Sequence, residues 1–154
     1  MNPDLNEFSF KRLTPNDLRL FQQLIRLFQE VFETPDPQAA SEPHLQRLLE
    51  KPGFIAYVVL LKHEVIGGLT AYELPLYYAE KSELFLYDLA VHPDFQRQGL
   101  GRHLLATLRQ YSNQHGIQTL FVAASEEDTE AVEFYHSTGG WAENVVLFTY
   151  SPDE

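Results

Sequence analysis

The chain has 154 residues and no cysteine. Disulfide staples, thiolate zinc sites and thiol nucleophiles are therefore excluded outright. Nor does it contain an apolar run of the ~20 residues that a bilayer-spanning helix needs. Its start, Met1-Asn2-Pro3-Asp4, lacks the basic and apolar regions of a signal peptide. These absences fit a cytoplasmic protein, although secreted proteins can lack cysteine too. Positive charge is scarce: 11 Lys and Arg stand against 22 Asp and Glu, a formal net charge of -11. Non-specific nucleic-acid binding runs on phosphate neutralisation by basic residues, so DNA and RNA are disfavoured as partners, and anionic membranes with them. An acidic chain attracts cations, polyamine-like substrates among them, but many proteins are acidic merely for solubility. The six histidines show no metal spacing such as His-x-x-x-His, and no metal is assigned.

What the chain does have is core material: 44% of its residues are hydrophobic and 13% aromatic. No repeat, low-complexity tract or long linker divides it, so residues 1–154 read as one domain. Residues 8–13 suit a first strand. Thr14-Pro15-Asn16-Asp17 then looks like a helix start, with Thr14 as N-cap, Pro15 at the first helical position and Asp17 closing a capping box. Leu18, Phe21, Ile25, Phe28 and Phe32 recur at helical spacing up to the break at Pro35-Asp36-Pro37. Ser41 caps a second short helix carrying Leu45, Leu48 and Leu49, ended by Pro52-Gly53. Residues 54–61 and 65–74 form a hairpin around Lys62-His63-Glu64. After a loop at residues 77–81, residues 83–91 make the most apolar strand, stopped by His92-Pro93. A polar loop, 94–101, leads into a helix with Leu100, Leu104, Leu105, Leu108 and Tyr111 on its inner face, ending near Gly116. A strand at 119–124, a short helix at 129–137 closed by Gly139-Gly140, and a last strand at 145–150 complete a mixed α/β domain.

The loop Gln96-Arg97-Gln98-Gly99-Leu100-Gly101 follows an apolar strand and opens a helix. A helix N-terminus leaves its first amides unpaired and carries partial positive charge, which suits an anion. Gly99 and Gly101 allow close backbone approach, and Arg97 and Arg102 flank the turn with charge-assisted donors. Lys-Ser/Thr and a third glycine are missing, so the spacing is neither a Walker A loop nor a dinucleotide fingerprint. Taken alone, a two-glycine loop is a weak signal, and an ordinary strand-to-helix turn explains it better.

Tyr87-Asp88-Leu89-Ala90-Val91-His92-Pro93 followed by Gln96-x-x-Gly99-x-Gly101 resembles the acetyl-CoA signature of the GNAT superfamily of N-acetyltransferases. Ala131-Val132-Glu133-Phe134-Tyr135 with Gly139-Gly140-Trp141 is similar to that superfamily's second signature, in which Phe commonly stands at the position of Trp141. The resemblance covers essentially the whole chain and is most specific at residues 87–102. It implies a twisted, mostly antiparallel sheet flanked by helices. Ile55 and its neighbours Phe54 and Ala56, the segment 71–75 and the segment 87–91 also resemble type I aminoglycoside 3-N-acetyltransferases, piece by piece.

The resemblance implies a role for each of these residues. Backbone groups of Leu89, Ala90 and Val91 would pair with the pantetheine arm as a strand pairs, while their side chains serve the core. Gln96, Arg97 and the amides of Gln98, Gly99, Leu100, Gly101 and Arg102 would hold the pyrophosphate; the bland alternative for the arginines is a solvated surface. Tyr135 corresponds to a tyrosine that protonates the departing CoA thiolate, or is simply a core aromatic. Asp88 interrupts an apolar strand, where a carboxylate is costly unless it is bonded or useful. It would take the proton of the acceptor amine or anchor the substrate cation, unless it is a structural Asp. Glu126, Glu127 and Asp128, joined by Glu83 and Tyr87, would form an acidic lip for the ammonium groups of the acceptor. Alternatively the first three only favour a helix start. Asp128 departs from the superfamily pattern, where Asn is common.

The implied chemistry is direct acetyl transfer from acetyl-CoA to a primary amine, the 3-amino group of an aminoglycoside foremost. A polyamine, amino acid or peptide N-terminus is the alternative acceptor, and a non-catalytic CoA-binding module the alternative class. No acyl-enzyme is expected without Cys or a recognisable Ser-His pair. The aminoglycoside look-alikes are commonly dimeric, and Phe148 and Tyr150 would either serve such an interface or cover the core.

Overall fold

The structure is a computed structural model and describes residues 3–34 and 39–153. The expected break at Pro35-Asp36-Pro37 lies outside the described residues, as do Met1 and Asn2. The described residues fall into two compact units that divide after Ala123.

The first unit is built on a five-stranded sheet of order β1-β2-β3-β4-β5, with β1 at Phe8–Arg12, β2 at Phe54–Leu61, β3 at Glu64–Pro75, β4 at Ser82–Val91 and β5 at Ile117–Val122. The first three pairings are antiparallel, and β5 runs parallel to β4. That parallel step needs a crossover, and α3 at Leu100–Gln114 supplies it. The expected hairpin forms as β2 and β3. Lys62 and His63 at its tip both adopt left-handed backbone, with φ of 50° and 70°, the twist that a two-residue hairpin turn requires.

Strand alternation sorts the core into two faces. Phe54, Ala56 and Val58 of β2 and Ala90 of β4 pack with Phe21, Leu24, Leu27 and Phe28 of α1 (Leu18–Val31) and Leu45 and Leu49 of α2 (Glu42–Glu50). Their alternate neighbours Ile55, Leu69, Leu84 and Leu86 are fully buried, as are Leu104 and Leu108 of α3. Ser41 caps α2 as expected, accepting the His44 amide at 3.3 Å.

The start of α1 differs from the expectation. The helix begins at Leu18, and Thr14 to Asp17 form a turn before it. The Asp17 carboxylate does reach back to the Thr14 amide (2.7 Å) and hydroxyl (2.9 Å), and Lys11 Nζ adds an ion pair at 2.7 Å. One of the two capping-box bonds thus exists, the Asp17 carboxylate on the Thr14 amide, but it closes a turn rather than the first turn of the helix, and the Thr14 hydroxyl accepts the Asn16 amide instead of that of Asp17. Burial pushes the Asp17 carboxyl upward, yet the bonds from Lys11 and Thr14 outweigh it and leave it below its ordinary value.

The second unit holds α4 at Thr129–Ser137. Its N-cap is Asp128, whose Oδ1 accepts the Ala131 amide at 3.1 Å. Gly139 leaves the helix with φ of 99°. The last strand expected at residues 145–150 is not formed. Those residues carry strand-like composition, but a strand exists only through ladder partners. Trp141, Val145, Val146, Leu147, Phe148 and Tyr150 are instead 75–88% exposed.

One glycine governs how closely α1 sits on the sheet. A Cβ at Gly68 would lie 2.5 Å from Leu24 Cδ1 and 2.5 Å from the Tyr57 carbonyl oxygen. Gly68→Ala should therefore lower stability by about 1–3 kcal/mol, the usual cost of overpacking. Urea unfolding reads this directly; a midpoint equal to that of the parent chain would mean that α1 has room to spare.

Candidate active site

The register of β3 against β4 breaks between Thr70 and Ala71: Thr70 faces Asp88, whereas Ala71 faces Leu86. Tyr87 is the extra residue, a β-bulge. The same point ends the pairing of β4 with β5, whose last partners are Leu86 and Val122. Beyond it, residues 87–91 keep β3 on one side and, among the described residues, have no strand on the other. Alternate amides and carbonyls of Leu89, Ala90 and Val91 thus face an open edge, which is what strand-like capture of a ligand requires.

A bulge also places successive side chains on one face. Tyr87 and Asp88 both lie on the α1 and α2 side of the sheet, with Thr70 and Tyr72 of β3. The Tyr72 ring meets Phe54 at 5.3 Å and Tyr87 at 5.7 Å between centroids; Tyr87 meets Phe85, which stacks on Phe121 at 4.9 Å. Asp88 is half-buried beside this aromatic row. Its carboxylate forms no hydrogen bond or ion pair with a described residue, and burial raises it above the ordinary value. The Tyr72 phenol is also raised, first by burial and then by the neighbouring Tyr87 and Asp88.

Past Val91 the chain makes a short 3-10 turn, Pro93–Phe95. Gln96 Nε2 donates to the Val91 carbonyl at 2.9 Å and ties the loop to the strand end. Arg97 is exposed with a left-handed φ of 62°, and Gly99 is the N-cap of α3 with φ of 82°. No side chain caps this helix, and nothing lies within 4 Å of where a Gly99 Cβ would sit. Leu100 is buried and anchors the helix start, while Arg102 is exposed. The start of α3, with Gly101 in its first turn, is thus left without a side-chain cap, and an uncapped helix start is the kind of place where anions bind.

The other expected residues are distributed unevenly. Glu83 pairs with Thr119 at the far end of β4, about 16 Å from Asp88 at the usual rise per residue. It does not join Asp88. A hollow of about 620 Å³ at that same end is lined by Glu73, Tyr77, Tyr78, Glu80 and His115, and does not include Asp88. In the second unit Glu126, Glu127 and Asp128 are exposed, and Asp128 is occupied as the cap of α4. Tyr135 lies on α4, partly buried, with its ring 5.1 Å from that of Phe134. No group of three or more His, Cys, Asp or Glu among the described residues is arranged to hold a metal. No helix among them is long and apolar enough to cross a membrane.

An open strand edge leading to an uncapped helix start, with a half-buried carboxylate at the bulge, is the arrangement that the resemblance to N-acetyltransferases implies. Residues 21–140 match the model of the acetyltransferase (GNAT) family, and the chain belongs to that family. It is an acetyl-CoA-dependent N-acetyltransferase. The aminoglycoside acetyltransferase meta-AAC0020 from an uncultured soil metagenomic sample, solved with trehalose, is 42% identical with a TM-score of 0.93, over 96% of this chain and 97% of that one. Its complex with sisomicin gives 41% and 0.92, over 95% and 97%. The ribosomal protein bS18 alanine N-acetyltransferase of Escherichia coli K12 is 40% identical over 57 residues, which span 37% of this chain and 38% of that relative.

Burial of Asp88 carries a stability consequence with a defined sign. Its carboxyl is raised in the folded state, so the charged form is penalised there and folding is weakened above that raised value. Asp88→Asn should therefore raise the melting temperature at neutral pH, and the gain should vanish as pH falls below the ordinary carboxylate value. A melting series in which the gain persists at low pH would contradict burial as its cause.

Proposed function

We propose that the chain transfers the acetyl group of acetyl-CoA to an amine of an aminoglycoside. The observation that carries this reading is the full-length likeness to an aminoglycoside acetyltransferase, 42% identical over 96% of the chain. Asp88 supports it: a half-buried carboxylate with no side-chain partner among the described residues suits a cationic acceptor. The net charge of -11 would draw polycations toward the protein.

Acetyl-CoA supplies an activated acetyl thioester. Leu89, Ala90 and Val91 would bind its pantetheine arm through backbone groups, and residues 96–102 its pyrophosphate. Asp88 takes the proton of the incoming ammonium, directly or through water, and frees the nitrogen lone pair that attacks the thioester carbonyl. The carbon–sulfur bond then breaks, and the Tyr135 hydroxyl gives its proton to the departing sulfur. Tyr87 would flank the acceptor amine at Asp88, and the exposed carboxylates Glu126 and Glu127 would add negative charge for a polycation; Glu83, at the far end of β4, and Asp128, engaged as the cap of α4, take no part. On the acceptor, the 3-amino group is the position that the sequence resemblance favours. A second reading, acetylation of a peptide N-terminal alanine, has specific support in the 57-residue match to the bS18 enzyme.

The chain also reads as a homodimer. Six large apolar side chains between residues 141 and 150 are exposed, and a second copy is the partner that would cover them. Size-exclusion chromatography with light scattering should give twice the chain mass, and Phe148→Asp should return it to one.

Thiol release from acetyl-CoA, followed against aminoglycosides, polyamines and alanyl peptides, tests the acceptor. Turnover should be fastest with aminoglycosides, with product NMR locating the acetyl group. Turnover confined to alanyl peptides would replace this reading with the second. Asp88→Asn should lose about 100-fold or more in kcat/KM, and Tyr135→Phe about 100-fold in kcat. In the parent enzyme, activity should climb with pH through an acid limb above the ordinary carboxylate range, because Asp88 must be deprotonated to act. Asp88→Asn should abolish that limb.

A further inference from the structure

We infer that Tyr72 is a binding residue for the acceptor, its phenol oxygen accepting a hydrogen bond from a second ammonium group of the molecule whose first amine lies at Asp88. This deepens the proposed function and rests on its reading of a cationic acceptor. In the sequence Tyr72 lies within the segment 71–75, whose resemblance to aminoglycoside 3-N-acetyltransferases assigns it no role.

Three features of the fold carry the inference. The register puts Tyr72 on the same face as Asp88: Thr70 is the direct cross-strand partner of Asp88, and Tyr72 follows it by one strand period. The bulge then brings Tyr87 alongside, so the Tyr72 ring is held edge-on by Phe54 at 5.3 Å and by Tyr87 at 5.7 Å. A ring fixed on two sides delivers its hydroxyl to one place. That hydroxyl makes no hydrogen bond to a described residue, although a partly buried tyrosine ordinarily finds a partner. A phenol oxygen and a carboxylate, both without partners and side by side on one sheet face, complement two neighbouring ammonium groups. They do not complement a neutral or singly charged amine to the same degree. Were Tyr72 only a packing residue, removal of its hydroxyl would leave substrate binding unchanged.

The test is Tyr72→Phe, which keeps the ring and deletes the hydroxyl. Steady-state kinetics use the best polyamine or aminoglycoside acceptor of the parent enzyme, with a singly charged amine as comparison. The expected result is an acceptor KM raised about tenfold, the usual scale for a hydrogen bond to a charged group. The KM for acetyl-CoA, the melting temperature and kcat should stay within about twofold, and the singly charged amine should show no change. An unchanged acceptor KM, or an equal change for both amines, overturns the inference. If the parent enzyme acetylates polyamines but no aminoglycoside, the aminoglycoside reading falls and Tyr72 is judged on the polyamine. If nothing turns over, calorimetric titration of neamine and of spermidine into the CoA-loaded protein decides. Binding weakened about tenfold by Tyr72→Phe supports the inference; no binding to the parent chain, or equal binding to both, overturns it.

Discussion

One extra residue in one strand organises the first unit. The bulge at Tyr87 shifts the register of β4 against β3. At the same point β4 stops pairing with β5, and the last five residues of β4 have, among the described residues, no strand on that edge. Without the bulge, Tyr87 and Asp88 would fall on opposite faces, as consecutive strand residues do. With it they share a face, and Asp88 stands beside Tyr72 and Thr70. Backbone availability and the position of the carboxylate are thus two results of a single irregularity. The loop that leads into α3 follows directly, because Gln96 fastens it to the carbonyl at the end of that strand.

Asp17 and Asp88 show how differently one fold treats two carboxylates. Asp17 is buried, but Lys11 and Thr14 surround it with donors, and its charge strengthens the entry into α1. Asp88 is half-buried with no donor from the described residues. The first group helps to hold the fold. The second weakens the fold when it is charged, because burial penalises an ionised carboxylate that no donor compensates.

Much of this was legible in the sequence where local signals and packing agree. The hairpin around Lys62 and His63, the cap at Ser41, the apolar strand and the loop from Gln96 to Gly101 all formed as their residues suggested. The half-burial of Asp88 was legible because a charge in an apolar strand is conspicuous. Less local features were not. Thr14 and Asp17 have the right spacing for a capping box, yet their bonds close a turn ahead of the helix. The residues at 145–150 have a strand's composition, but composition names no pairing partner. Tyr72 gained significance only from a register slip, which depends on two strands at once. Glu83 shares a strand with Asp88 yet sits at its other end.

The two glycines that matter most to this unit differ in how they can drift under mutation. At Gly99 the difficulty is only a left-handed φ of 82° with open space around it, and asparagine tolerates such backbone at little expense. At Gly68 the backbone is ordinary, but the place of the first side-chain atom is already filled by Leu24 and a main-chain oxygen. Every other amino acid begins with that atom. Gly68 therefore has no acceptable single replacement unless α1 shifts with it, and any lineage that changes it must remodel the helix-to-sheet contact at the same time.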